Sequence, residues 1–410
     1  LKNSNKGLVF ILVTVLIDVI GIGLIIPIMP ALYQELTGGT VSESSTYSAY
    51  LVFVYSLMQF IFSPIIGGLS DKYGRRPVLL FSLFGFGVNY IFMALSPSIA
   101  WLFVGRIIAG ITGASFSAAN AYIADVTPFE KRAQSFGLVG AMFGLGFIIG
   151  PTIGGLLGEM GTRVPFYVAA GLSLANWVYG YFFLPESLPA DKRREFDFKR
   201  ANPIGSVVNL RKNKFVFSLT AALFLVYVSG FATQGTWSFY TIERFQWSEA
   251  KIGISLGFIG LLAALVQGGL IRYIIPKIGL EKSLFLGLIM NSVGLLGFGL
   301  VSQEWLLYGV MVFNALSGLA NPSFQGIITS KVSADEQGEL QGGLTSLMSI
   351  AAIVGQPLML GLFRIFTKDG APVYFPGMPF LVGSLLSTIS IFLAYRIIYK
   401  KKSEEFGSDK

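Results

Sequence analysis

The sequence predicts an all-α membrane protein of twelve spans in two similar six-helix bundles. Three observations predict it: too little charge for a water-facing surface, twelve apolar stretches of membrane length, and a repeat that superposes one half on the other.

The first observation is compositional. The chain has 410 residues, of which 53% are hydrophobic and only 13% charged, with a mean hydropathy of +0.67. A soluble domain carries about 25% charge. A bilayer resolves the deficit, because lipid rather than water covers the apolar surface. The 49 glycines sit largely inside apolar runs, where small residues let helix backbones approach closely. Cysteine and histidine are both absent, so disulfides, thiolate or imidazole metal sites and histidine proton chemistry are excluded. No cofactor and no metal are expected. No nucleophile–base pair or Walker loop is visible, so neither enzymatic chemistry nor built-in ATP hydrolysis is expected.

The second observation is the row of spans. A helix needs about 20 apolar residues to cross the hydrocarbon core. Such stretches occur near 8–33, 48–69, 77–96, 100–124, 134–157 and 165–184, then near 215–240, 252–273, 283–302, 305–329, 341–364 and 379–399. The first is too long and too rich in proline for a cleaved signal peptide. The expected organisation is an N-terminal bundle over 1–184, a polar linker over 185–214, a C-terminal bundle over 215–399 and a tail over 400–410. With the N-terminus inside, 24 of the 30 lysines and arginines fall on one side and 5 on the other, Arg106 lying within a stretch. That asymmetry predicts cytoplasmic termini and linker. It also accounts for the net charge of +8 through topology and anionic lipid, so no nucleic-acid partner is expected.

The third observation is the repeat. Gly67-Gly68-Leu69 after the second stretch is echoed by Gly268-Gly269-Leu270 after the eighth. Trp101 and Trp305 open the fourth and tenth, and Gly150-Pro151 and Gly355-Gln356-Pro357 mark the fifth and eleventh. The offset stays near 205 residues. Parallel six-plus-six repeats place a substrate site between the halves, near the bilayer midplane.

Several residues stand out against this background. Asp18 lies mid-way along the first stretch, where an uncompensated charge costs about 2.5–3.5 kcal/mol on insertion scales. Protonation, a cation or a water-filled cavity must offset that cost, so Asp18 reads as a proton carrier or substrate anchor; a structural carboxylate is the plain alternative. Arg106 lies about 9 Å into the fourth stretch and either snorkels outward or turns inward to a carboxylate. Gly146, Gly150, Gly154 and Gly155 fall at i, i+4, i+8 and i+9, with Pro151 bending the helix they line. They are expected on one face. Gln59, Asn89, Asn120, Gln234, Trp237, Gln267, Asn291, Asn314 and Gln325 are polar or aromatic groups within apolar stretches. As a set they predict a largely neutral cavity for a small amphipathic solute, aided by an aromatic content of 14%.

These residues resemble the major facilitator superfamily, and within it the drug/proton antiporters similar to bacterial tetracycline efflux transporters. Gly68-Leu69-Ser70-Asp71-Lys72-Tyr73-Gly74-Arg75-Arg76-Pro77 matches the superfamily's signature between helices 2 and 3. Gly146-x-x-x-Gly150-Pro151-x-x-Gly154-Gly155 matches the antiporter signature of helix 5, and Asp18-x-x-Gly21 through Pro27-x-x-Pro30 is similar to the opening of tetracycline exporters. The chain departs from the pattern at Ala109, where a glutamine is usual, at Asn89 and Asn291, where tetracycline exporters carry aspartates, and at Ala263, where one class carries histidine.

The resemblance implies the major facilitator fold and a monomer that exports small amphipathic compounds by proton antiport and alternating access. It implies coupling through Asp18 and Arg106. It also implies a gating latch at Gly68, Asp71, Gly74, Arg75 and Arg76, in which Asp71 meets a helix N-terminus or basic group of the other half. Two rival readings remain at this level: a facilitator or symporter of a neutral solute, and a membrane receptor or structural subunit that does not transport.

Overall fold

A computed structural model describes residues 2–113, 115–127, 132–196, 205, 210–332 and 337–407. Every one of the twelve apolar stretches falls on helix, and no strand occurs among the described residues. The chain forms two compact units, one of residues 1–202 with 246–261 and the other of 203–245 with 262–410.

The first unit begins with α1 (Lys2–Ile25) and α2 (Met29–Thr37). The sequence suggested one span to about residue 33. Instead Pro27 and Pro30 end the first helix early, because proline removes a helical donor and clashes with the preceding turn. Next comes α3 (Val41–Tyr73), which starts well before its apolar stretch. Thr40 sets that start: its hydroxyl accepts from the Glu43 amide at 3.2 Å, and the Glu43 carboxylate accepts from the Thr40 amide at 2.9 Å. The unit continues with α4 (Arg75–Ala94), α5 (Ile99–Thr112), α6 (Ser115–Val126), α7 (Arg132–Gly158) and α8 (Val164–Phe183). Its core gathers Phe10, Ile11, Val15 and Val19 from α1 with Leu79 and Leu83 of α4 and Tyr122 and Ile123 of α6.

The second unit contains α9 (Lys214–Phe245), the end of α10 (Glu249–Leu265) with a π turn at Val266–Leu270, and α11 (Ile271–Leu300). It is completed by α12 (Glu304–Asn314), a 3-10 turn at Ala315–Leu319, α13 (Ala320–Thr329), α14 (Gln337–Thr367) and α15 (Met378–Gly407). Leu219, Leu223, Leu284, Leu288, Phe324 and Ile328 build its core. The last helix runs past residue 399 because no proline or glycine follows Gly383 until Gly407.

Backbone geometry repeats at the 205-residue offset. Gly74 joins α3 to α4 with φ 102°, and Gly279 kinks α11 with φ 80°, both values that favour glycine. The α5–α6 junction at Gly113 matches the 3-10 turn holding Gly318. Each unit therefore breaks its fourth span at the same place. Large apolar side chains such as Phe182, Phe183, Trp305 and Phe392 stand exposed, which a lipid-facing surface permits.

Candidate functional site

The charged turn after α3 is built from its backbone outward. Gly74 leaves α3 in a conformation that other residues avoid, and α4 restarts at once, so the first amides of α4 point at a single spot. Glu186 fills that spot. One carboxylate oxygen accepts from the Arg75 amide at 2.9 Å and the other from the Arg76 amide at 3.3 Å. The Ser187 and Leu188 amides add 2.9 and 3.0 Å contacts to the first oxygen. A Cβ on Gly74 would come within 2.8 Å of the Glu186 carboxyl carbon, so glycine serves both the turn and the close approach. Arg75 lies buried between carboxylates, 2.5 Å from Asp71 and 3.2 Å from Asp125, and donates to the Ser70 hydroxyl at 2.6 Å.

The family-based expectation placed Asp71 against the second half. Here the Asp71 carboxylate pairs with Arg75 one turn along its own chain, and its carbonyl accepts from the Arg194 amide at 3.1 Å. The carboxylate at the N-terminus of α4 is Glu186. Arg76 donates to the Tyr181 carbonyl at 2.7 Å, and Gly68 lies under the Phe196 ring. Lys72 and Glu195 pair at 2.8 Å; their hydrogen bond holds the carboxyl below its ordinary range and the ammonium above its own. A carboxylate at a partly buried helix N-terminus is worth up to about 2 kcal/mol. Glu186→Gln is therefore expected to lower the thermal unfolding midpoint of the detergent-purified protein, whereas Glu195→Gln, on an exposed pair, leaves it unchanged. Equal midpoints for Glu186→Gln and the parent would remove Glu186 from this role.

Asp18 sits on α1 and is the one buried carboxylate among the described residues. Among the described residues it is in no ion pair, and its Oδ1 has no hydrogen-bond partner. Tyr55 of α3, Tyr90 of α4 and Arg106 of α5 share its electrostatic neighbourhood. The Tyr90 phenol lies over Gly21, one turn on from Asp18, where a Cβ would lie 2.9 Å from the hydroxyl. Arg106 is turned toward α2, with one nitrogen 3.7 Å from the Met29 sulfur and its charge acting on Tyr33, while its Nε is buried and unpartnered. Gln59 donates to the Gly113 carbonyl at 3.3 Å and so satisfies a group freed by the break in the fourth span. Asn89 is buried beside Gly105, its Oδ1 unpartnered.

The helix 5 glycines were expected on one face. They serve two. Gly146, Gly150 and Gly154 lie against α1 at Val19, Ile20 and Leu24, while Gly155 lies against Glu249 and Ala250 of α10. One residue more is about 100° further around a helix, enough to change neighbours. Pro151 reaches both partners, its ring against Gly23 and its carbonyl against Gly253.

In the second unit the polar candidates separate. Asn291 is spoken for: its amide donates to Ser229 at 3.2 Å and Ser387 at 3.1 Å, within a seam that continues through Ser292, Ser384 and Thr388. Trp237 is packed edge-on to Phe298 and Phe380 in the core. Gln234 and Gln267 are exposed, and Asn314 and Gln325 half-buried, Asn314 filling the space over Gly294. The side chain of Asn120 lies outside the described residues.

Residues 11–356 match the family model of the Major Facilitator Superfamily. The chain belongs to the Major Facilitator Superfamily. It is a multi-pass membrane transporter and not an enzyme. It is 35% identical over 388 residues to the class C tetracycline resistance protein of Escherichia coli, covering 95% of this chain and 96% of that one. To the class H tetracycline resistance protein of Pasteurella multocida it is 34% identical over 397 residues, with 95% and 96% covered. Among solved structures, the human organic anion transporter TETRAN superposes with a TM-score of 0.71 at 23% identity, covering 95% and 99% of the two chains. A bacterial homologue of the human lysosomal transporter Spinster gives 0.76 at 14% identity, covering 97% and 98%. These two show the fold.

The sequence singled out Asp18, Arg106, Asp71, Arg75 and the helix 5 glycines. It missed Glu186, Asp125, Tyr33, Tyr55 and Tyr90. Glu186 carried a readable signal, as an acidic residue flanked by Pro185 and Ser187 at the end of an apolar stretch. The tyrosines carried none, since an aromatic residue in a membrane helix is ordinary.

Proposed function

We propose that this transporter exports a small, drug-like amphipathic compound of the tetracycline type in exchange for inward-moving protons, working as a monomer with both termini cytoplasmic. The observation that carries the reading is Asp18: the one buried carboxylate among the described residues, in no ion pair there, near Tyr55 and Tyr90, in a chain similar over nearly its full length to tetracycline resistance proteins. A group so placed takes a proton when the site is empty and releases it when substrate arrives. Gln59 and Asn89 of the same unit supply polar contacts to the substrate, and the turn around Asp71, Gly74, Arg75 and Arg76 biases the conformational change. Asn89 stands where tetracycline exporters carry an aspartate, so the first unit holds one carboxylate fewer, which favours a substrate of lower positive charge.

Purified protein in liposomes tests this. An imposed pH gradient is expected to drive tetracycline accumulation against its concentration. Equilibration that ignores the gradient would establish the facilitator instead, and no flux of tetracycline or other amphipathic probes would leave the receptor reading. Reporter tags at Lys2, within 190–202 and after Lys402 are expected inside the cell, and one within 36–46 outside; an external 190–202 tag would overturn the orientation.

A further inference from the structure

Asp18 has a second set of neighbours that the reading above does not use. Thr14 lies one turn before it on the same face of α1, and its hydroxyl donates to the Asn176 side-chain oxygen on α8 at 3.4 Å. One turn further toward the N-terminus, Phe10 lies against Gly180, where a Cβ would come within 2.7 Å of the ring. Phe10 meeting Gly180 and Thr14 meeting Asn176 fix an antiparallel register. The next turn brings Ser173 level with Asp18. Thr14, Asp18, Ser173 and Asn176 are all more than nine-tenths buried.

Three polar atoms along this register have no hydrogen-bond partner: Asp18 Oδ1, Ser173 Oγ and Asn176 Nδ2. Each orphaned group costs about 1–3 kcal/mol when left unmade. Their chemistry is complementary, since the carboxylate accepts, the amide donates and the hydroxyl does either. Thr14 and Asp18 are about 6 Å apart along the helix axis. That gap is too long for a direct hydrogen bond from Asn176 to Asp18. It is close to the span of two bonds of about 2.8 Å through one water. A buried water typically makes about three hydrogen bonds, and three unsatisfied atoms are available.

We propose that Thr14, Ser173 and Asn176 form a buried polar seat that holds the Asp18 carboxyl through an internal water, and that Asn176 is a positioning residue setting how readily Asp18 releases its proton. The seat lies between α1 and α8 and is closed below by Phe10, which stacks on Tyr179 with ring centroids 5.4 Å apart. The proton therefore does not leave by this route; the seat orients the carboxyl and stabilises its ionised form. The titratable groups coupled to Asp18 from the other helices are Tyr55 of α3 and Tyr90 of α4, and Arg106 of α5 acts on those same two tyrosines. α7 brings Gly146 and Gly150 and no titratable side chain, while Tyr122 of α6 lies at Gly7, three turns away. Within the seat Asn176 is the donor that favours the charged carboxylate.

The inference rests on Asp18 as the proton carrier, and the test separates the two. Infrared difference spectra of purified protein are titrated with pH, the Asp18 carboxyl band being assigned by its loss in Asp18→Asn. Asn176→Leu removes the donor at nearly constant volume, and the half-titration pH of the band is expected to rise by about one unit, a tenfold change in proton affinity. Ser173→Ala, a change of one atom that the fold tolerates, is expected to raise it in the same direction by less. A titration that does not move in either variant, or that moves down, overturns the seat while leaving Asp18 as carrier. A wild-type band that never titrates overturns both.

Discussion

Asp18→Asn abolishes pH-gradient-driven accumulation and spares substrate exchange at equal pH. This is the largest functional effect expected of a single substitution. The asparagine keeps the shape and the hydrogen-bonding edge of the carboxyl but carries no exchangeable charge. A carboxylate at this depth costs about 2.5–3.5 kcal/mol, and among the described residues Arg106 is not paired with it. The empty, ionised carrier thus carries a penalty for reorienting that is relieved when a proton or a substrate arrives. Removing the charge removes that penalty, so exchange at equal pH is expected to match or exceed the parent rate. The gradient loses its handle, because no group any longer titrates between the two faces. Side-by-side liposome assays with and without an imposed gradient decide it. Full gradient-driven transport by Asp18→Asn would make Asp18 structural and move the coupling to another group.

Gly150→Ala lowers the thermal unfolding midpoint of the protein, while Gly140→Ala on the same helix does not. A Cβ at 150 would lie 2.7 Å from the Ile20 carbonyl oxygen and 2.9 Å from the Gly23 α-carbon. Both are backbone atoms and neither can rotate away. α1 and α7 must separate, and the Pro151 ring against Gly23 is displaced with them. Overpacking of this kind costs about 1–3 kcal/mol where side chains can adjust, and a backbone-limited contact falls at or beyond the upper end. At Gly140 nothing lies within 4 Å, so the added methyl meets open space and helix propensity favours alanine by about 0.5–1 kcal/mol. Thermal unfolding of the two variants in detergent measures the contrast. Matching midpoints would mean that the crossing of α1 and α7 is more plastic than its geometry indicates.

Membrane spans were legible because one physical quantity dominates them: backbone amides in lipid must be satisfied within the helix, so each span is a long, nearly uncharged run. The repeat was legible because glycine is demanded where the backbone turns. Gly74 and Gly279 keep the repeat's offset in sequence, and both have a positive φ in three dimensions. Asp18 and the Gly68–Arg76 turn stood out as charge where charge is expensive, or as glycine between charges.

What only the tertiary structure decided is which groups meet. Sequence did not show that Glu186, 112 residues from Gly74, accepts from the first amides of α4; it does so because the chain leaving α8 passes beneath that turn. Sequence placed Gly155 with Gly146, Gly150 and Gly154; the 100° step of the helix sent it to another partner. Sequence left Asn291 a cavity candidate; α9 and α15 close on it with hydroxyls and turn it into a structural link. Periodicity and composition fix what each helix must bury, but an amide, a hydroxyl or a carboxylate acquires its role from the neighbour across the interface, and that neighbour lies scores of residues away.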